Sequence, residues 1–163
     1  MNDPRTEGVQ FSSREYVQRV THFVEEVSGW CKDRELTVER GAVSLREQAV
    51  APYEAASLKI LKDGILLGSM VPVGSRVIGA EGRVDLIGRV ARHALLYHLG
   101  NGPVFWRQTG TGGNAASSPS RRIRYGVHCD GWYWTEATIL KPKHIDKDLF
   151  LDLLTDVSDY EFP

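Results

Sequence analysis

Apolar positions in residues 57–107 come in short alternating runs broken by glycines, with hardly an acid among them. That pattern predicts a meander of antiparallel strands. Residues 57–62 form the first strand and 65–71 its return. Between them Asp63-Gly64 suits a type I′ turn, whose two central residues both take positive φ. Pro72 and Gly74 then mark a bend or bulge, since proline cannot donate to a central ladder. Val77-Ile78 and residues 83–87 flank Gly79-Ala80-Glu81-Gly82 and predict a second hairpin. Residues 91–99 give a further strand, Gly100-Asn101-Gly102 a turn, and 104–107 the strand after it.

Outside the meander the period changes. Tyr16, Val17, Val20, Phe23, Val24, Val27, Trp30 and Cys31 recur at three- and four-residue steps, the stripe of a helix that packs on a sheet. Ser12-Ser13-Arg14-Glu15 fits a capping box at its start, with Phe11 stapled onto Tyr16. Residues 1–10, polar with Pro4 and Gly8, are therefore expected to form a flexible tail. Residues 36–40 alternate as a short strand and Gly41 reads as a turn. Residues 42–56 fit neither period, and Pro52 excludes one continuous helix there.

Residues 109–120 have no charge and no large apolar side chain, which predicts a mobile loop because nothing buried offsets the entropy of ordering it. Alternation resumes at 122–127 and 132–138 around Asp130-Gly131, and Pro142 is expected to close the sheet. Ile145, Leu149, Phe150, Leu153, Leu154 and Val157 make a second helical stripe, with Asp146 as its cap. The fold class expected is α+β: an N-terminal helix, an antiparallel meander sheet of about seven or eight strands and a C-terminal helix, all in a single domain over residues 11–163.

Composition narrows the class. With 163 residues and a net charge of −1, the chain can bury a real core but exerts no long-range pull on a polyanion. It has no signal-like apolar stretch after its opening residues and no run of membrane-spanning length. A soluble, cytoplasmic protein without membrane attachment is the expectation. Cys31 and Cys129 are expected as buried free thiols of a reducing compartment, with a single bridge between them as the alternative.

Charge is unevenly spread: −2 over residues 1–70, +6 over 71–125 and −5 over 126–163. Every basic residue of the middle block is an arginine, namely Arg76, Arg83, Arg89, Arg92, Arg107, Arg121, Arg122 and Arg124. Arginine favours bidentate pairing with carboxylate or phosphate and stacking on rings, so a recognition surface or pairing with the acidic C-terminal helix both fit.

Candidate chemistry is sparse. Gly110, Gly112 and Gly113 lack the Lys-Ser/Thr of a phosphate loop. His128-Cys129-Asp130 and His144 hold the ingredients of a thiol site or zinc ligand set, but neighbours on a strand point to opposite faces and no partner stands at ligand spacing. His93 and His98 fall on opposite faces by the same rule. Asp85 beside Arg83 reads as an ion pair, and Glu81 sits in a turn. No cofactor and no metal is therefore expected.

The aromatic run Trp132-Tyr133-Trp134 puts at least one large ring outward unless a helix covers each face of the sheet, and Phe105-Trp106 poses the same problem. Rings beside arginines are the residue types of binding hot spots. The leading expectation is a non-catalytic binding module with a protein partner, in an immunity, adaptor or chaperone-like role, using Trp106, Arg107, Arg124, Tyr125, Trp132 and Trp134. The first alternative is a weak, non-specific single-stranded nucleic-acid binder using the same arginines and rings. The second is an enzyme whose site converges from distant strands on Asp85 or His128.

Overall fold

The computed structural model describes residues 4–100, 126–136, 138 and 140–162, with side chains from Ser13 onward. The loop predicted at 109–120 and the strand at 104–107 lie outside the described residues, as does nearly all of the strand at 122–127. Two helices and a seven-stranded sheet make up the rest.

Helix α1 spans Pro4–Lys32 and buries Tyr16, Val20, Phe23, Val24, Val27 and Cys31, the stripe that the three- and four-residue spacing predicts. Its start differs from expectation. Residues 4–10, read as tail, are helical, and Ser12-Ser13 fall inside the helix instead of capping it. Proline at the first helical position is pre-set for helical φ, whereas Gly8 weakens the pattern that would have revealed these turns. The C-terminus closes with a paired αL motif. Glu35 takes φ 58°, its amide donates to Lys32 O, and the amide of buried Leu36 donates to Cys31 O.

Seven strands follow: β1 (Thr37–Leu45), β2 (Tyr53–Lys62), β3 (Ile65–Gly74), β4 (Arg83–Gly88), β5 (Arg92–His98), β6 (Gly131–Thr135) and β7 (Pro142–His144). Each pairs antiparallel with the next, so the sheet order is the chain order and the meander holds. Asp63 and Gly64 both have positive φ, as the type I′ turn requires, and the register shifts between Pro72 and Gly74 where a bulge was expected. Three expectations are corrected. Gly41 does not turn the chain but pairs with Ser57 inside β1. A side chain there would meet the Ser57 hydroxyl, at 2.9 Å from a Cβ. Val77-Ile78 makes only an isolated bridge to Ala80, because β4 pairs back onto β3 itself. Pro142 begins β7, the last strand of the sheet among the described residues, instead of ending the sheet; proline is tolerated at the first residue of a strand.

Helix α2 spans Lys147–Ser158. Asp146 caps it as predicted, its carboxylate accepting from the Leu149 amide at 2.8 Å.

Both helices lie on one face of the sheet. Gly82, next to β4, packs under the Tyr16 ring of α1, while Gly88 at the far end of that strand packs under Val157 of α2; a Cβ at Gly88 would stand 2.2 Å from the Val157 carbonyl oxygen. Six residues apart on one strand means one face. Trp30 of α1 meets Phe150 of α2 at a centroid distance of 5.9 Å, and Lys147 bonds Asp33 at 3.0 Å. A single apolar cluster therefore joins α1, α2, Leu58, Ile60, Met70, Leu86, Leu95 and Trp132. The arrangement with one helix on each face, which would have hidden every ring, does not occur.

Candidate functional site

Of the six residues expected to bind a partner, Trp106, Arg107, Arg124 and Tyr125 lie outside the described residues. Trp132 and Trp134 stand two apart on β6 and share the helix face, and each reaches a different helix. Tyr133 points to the other face yet is only 2% exposed, its hydroxyl donating to Cys129 O at 2.8 Å. The outward ring that alternation predicts is thus buried. Burial, then the Cys129 thiol beside it, pushes the Tyr133 hydroxyl above the usual tyrosine range.

Trp132 is stacked on Phe23 of α1, with centroids 4.9 Å apart and planes 11° apart, and Tyr97 meets it edge-on at 5.4 Å. These three rings floor a cleft of about 610 Å³ between α1 and β5–β6. Its α1 wall comes from Glu15, Gln18, Arg19, His22 and Glu26, which flank the buried stripe, and Asp130 closes the other side. Arg19 lies 4.3 Å above the Tyr97 ring and 3.4 Å from Glu15, His22 stands 3.5 Å from Glu26, and Asp130 accepts from the Gly100 amide at 2.7 Å. No hydrogen bond to the Trp132 indole N–H, a group that can only donate, is made among the described residues.

Trp134 lines a second groove, of about 620 Å³, under α2. Its indole N–H donates to His93 Nδ1 at 3.2 Å, and His93 Nε2 faces the Asp156 carboxylate. An indole only donates, so His93 Nδ1 is the bare nitrogen and the proton sits on Nε2, pointing at Asp156. Both ring nitrogens are engaged. A histidine–aspartate pair serves as a base only when one nitrogen is left for the substrate, so this one is a strut between β5, β6 and α2. Sequence spacing could not reveal it, because His93 and Asp156 are 63 residues apart.

The remaining candidates do not converge. Asp85 is 4% exposed and held by Arg83 through two bonds of 2.7 and 3.2 Å, with Arg92 at 3.9 Å. The ion pair read from the sequence is present. Cys129, expected to be buried like Cys31, is exposed in the irregular segment before β6 and meets the Tyr133 hydroxyl at 3.5 Å; His128 beside it is exposed too. Among the described residues no group of three or more metal-ligating side chains gathers.

One further polar cluster ties the β1–β2 connection to the β3–β4 connection. Glu47 accepts from the Tyr53 hydroxyl, the Ser75 amide and hydroxyl (2.8 and 2.7 Å) and the Arg76 amide (2.9 Å). Burial alone would raise the Glu47 carboxyl, but these bonds outweigh it and hold it below the usual glutamate range. Beside it, the Tyr16 hydroxyl donates to Arg83 O at 2.6 Å and accepts from the Val73 amide at 3.2 Å. Burial, with Tyr53 next, pushes Tyr16 above its ordinary range.

No helix among the described residues is long and apolar enough to cross a membrane. Comparison with known proteins leaves the cleft to be read on its own geometry: no family model matches the chain, and no match is found among curated proteins or solved structures.

Proposed function

We propose that the chain is a non-catalytic binding module that takes a protein partner in the cleft between α1 and β5–β6. One observation carries this: the cleft is floored by Trp132, Phe23 and Tyr97, and the Trp132 N–H there has no acceptor among the described residues. Tryptophan and tyrosine in a walled recess are residue types on which partner affinity concentrates. A volume of about 610 Å³ lies in the range of recognition pockets. The arginines of the nucleic-acid alternative, Arg107 and Arg124, lie outside the described residues; of the other arginines of that block, Arg83 and Arg92 pair with Asp85 and Arg76 donates to Gln48 O. Two free cysteines, Cys31 and Cys129, favour the reducing cytoplasm as its compartment.

A photo-crosslinking residue placed at Gln18, on the cleft wall, tests the reading against the same residue at Lys59, which is exposed on the opposite sheet face. In the native host the Gln18 probe should give a discrete protein adduct and the Lys59 probe none. Adducts absent at Gln18, or the same at both positions, would overturn it.

A further inference from the structure

We infer that the cleft takes a basic side chain, an arginine or lysine presented by the protein partner; this rests on the binding-module reading above and adds the chemistry of what is recognised. Three carboxylates, Glu15, Glu26 and Asp130, line the cleft against one guanidinium, Arg19, with His22, His144 and the Tyr97 phenol the other titratable groups. With both histidines neutral the rim is negative, and an entering anion would meet unfavourable potential from three sides.

The carboxylates are also available. Glu15 and Glu26 are about half exposed, 57% and 49%, and touch their helix neighbours only at 3.4 and 3.5 Å. Charge-assisted bonds close to about 2.7–2.9 Å when the partner is well held. Both side chains can therefore swing to a better cation at little cost. Asp130 spends Oδ1 on the Gly100 amide.

Arg19 shows what the cleft does with a guanidinium: a ring lies 4.3 Å beneath it and a carboxylate beside it. That is the arrangement in which a cation gains from both the quadrupole of the ring and the opposite charge. The Trp132 ring meets Tyr97 edge-on in the same floor, and Glu26 and Asp130 line the same cleft, so the ingredients a second cation would use are gathered there. A carboxylate or an apolar side chain would use the floor but work against the rim.

The test titrates the full chain with a short, end-blocked glycine–serine peptide carrying one central arginine, following the Trp132 indole N–H by NMR. Versions with lysine and with glutamate, and free agmatine, are run beside it. The arginine and lysine peptides should shift the Trp132 signal to saturation and the glutamate peptide should not. The double variant E15Q/E26Q, folded because both sites are half exposed, should weaken binding by about tenfold, and added salt should weaken it further.

Equal binding of the glutamate peptide, or no loss in the double variant, would overturn the inference. So would agmatine binding as tightly as the arginine peptide, which would make the occupant a free small cation. The two readings fail separately. An adduct at Gln18 without peptide binding removes the basic side chain and keeps the partner. Peptide binding without an adduct removes the protein partner.

Discussion

Glu15 and Tyr16 are neighbours on α1, yet they belong to two regions built from the same ingredients, carboxylates and aromatic rings. Tyr16 faces the cluster around Glu47, where the carboxylate accepts four hydrogen bonds and the Tyr16 hydroxyl is satisfied as both donor and acceptor. Glu15 faces the cleft, where it and Glu26 make only long surface contacts and the Trp132 N–H has no acceptor among the described residues. The difference is one of saturation. A polar cluster whose valences are all filled from within holds two connections together and has nothing to offer a ligand. A cluster with valences left over, above a floor of rings, is the one able to recognise something.

The sharpest way to break this contrast is at the residue where the cleft merges with the core. Phe23→Ala removes a buried ring that supports Trp132 and should cost about 3–5 kcal/mol in chemical denaturation. A cost under about 1 kcal/mol would mean the floor is separate from the core. Next comes the saturated cluster. Glu47→Ala strands the Tyr53 hydroxyl and the Ser75 and Arg76 amides, and should cost about 2–3 kcal/mol.

The same carboxylate sets a pH dependence. Its folded value lies below the ordinary glutamate range, so its contribution is complete above that range and is lost as pH falls through the depressed folded value. E47Q should flatten the acid limb of a stability–pH curve; an unchanged limb would reassign it to other carboxylates. Tyr16→Phe, losing one donated and one accepted bond, should cost about 1–2 kcal/mol. At the small end, E15Q should move stability by no more than about 0.5 kcal/mol, because the cleft carboxylates hold nothing together. A larger loss would place Glu15 with the saturated cluster and erase the distinction.

Much of the scaffold was legible from local chemistry. Asp63-Gly64 announced a turn with two positive φ values, Asp146 announced a cap, and the α1 stripe announced a buried face, because each depends on a few adjacent residues. What escaped depended on distant ones. Gly41 reads as a turn until Ser57 pairs with it. Residues 46–52 join β1 to β2 outside both strands, so residues 42–56 show no single period although strand flanks them on both sides. Local pattern cannot say which face of a sheet a helix covers, and here α1 and α2 choose the same one.

The cleft was hidden for a related reason. Glu15, Gln18, Arg19, His22 and Glu26 look like the solvated flank of any amphipathic helix until β5 and β6 bring Tyr97 and Trp132 beside them. Trp132 was read as a ring that binds a partner. At 7% exposure it floors a recess, a placement that only the position of α1 could decide.

Two helices from opposite ends of the chain sharing one sheet face have a consequence for synthesis. On the ribosome, β1 to β7 can pair in chain order, each with the one before it among the described strands, and α1 is already present to cover its share. Gly68 and Gly88 wait longer, because Leu154 and Val157, which lie over them, belong to Lys147–Ser158. A nascent chain stalled before that helix would display this apolar ground to chaperones and proteases, so its exposure marks an unfinished copy.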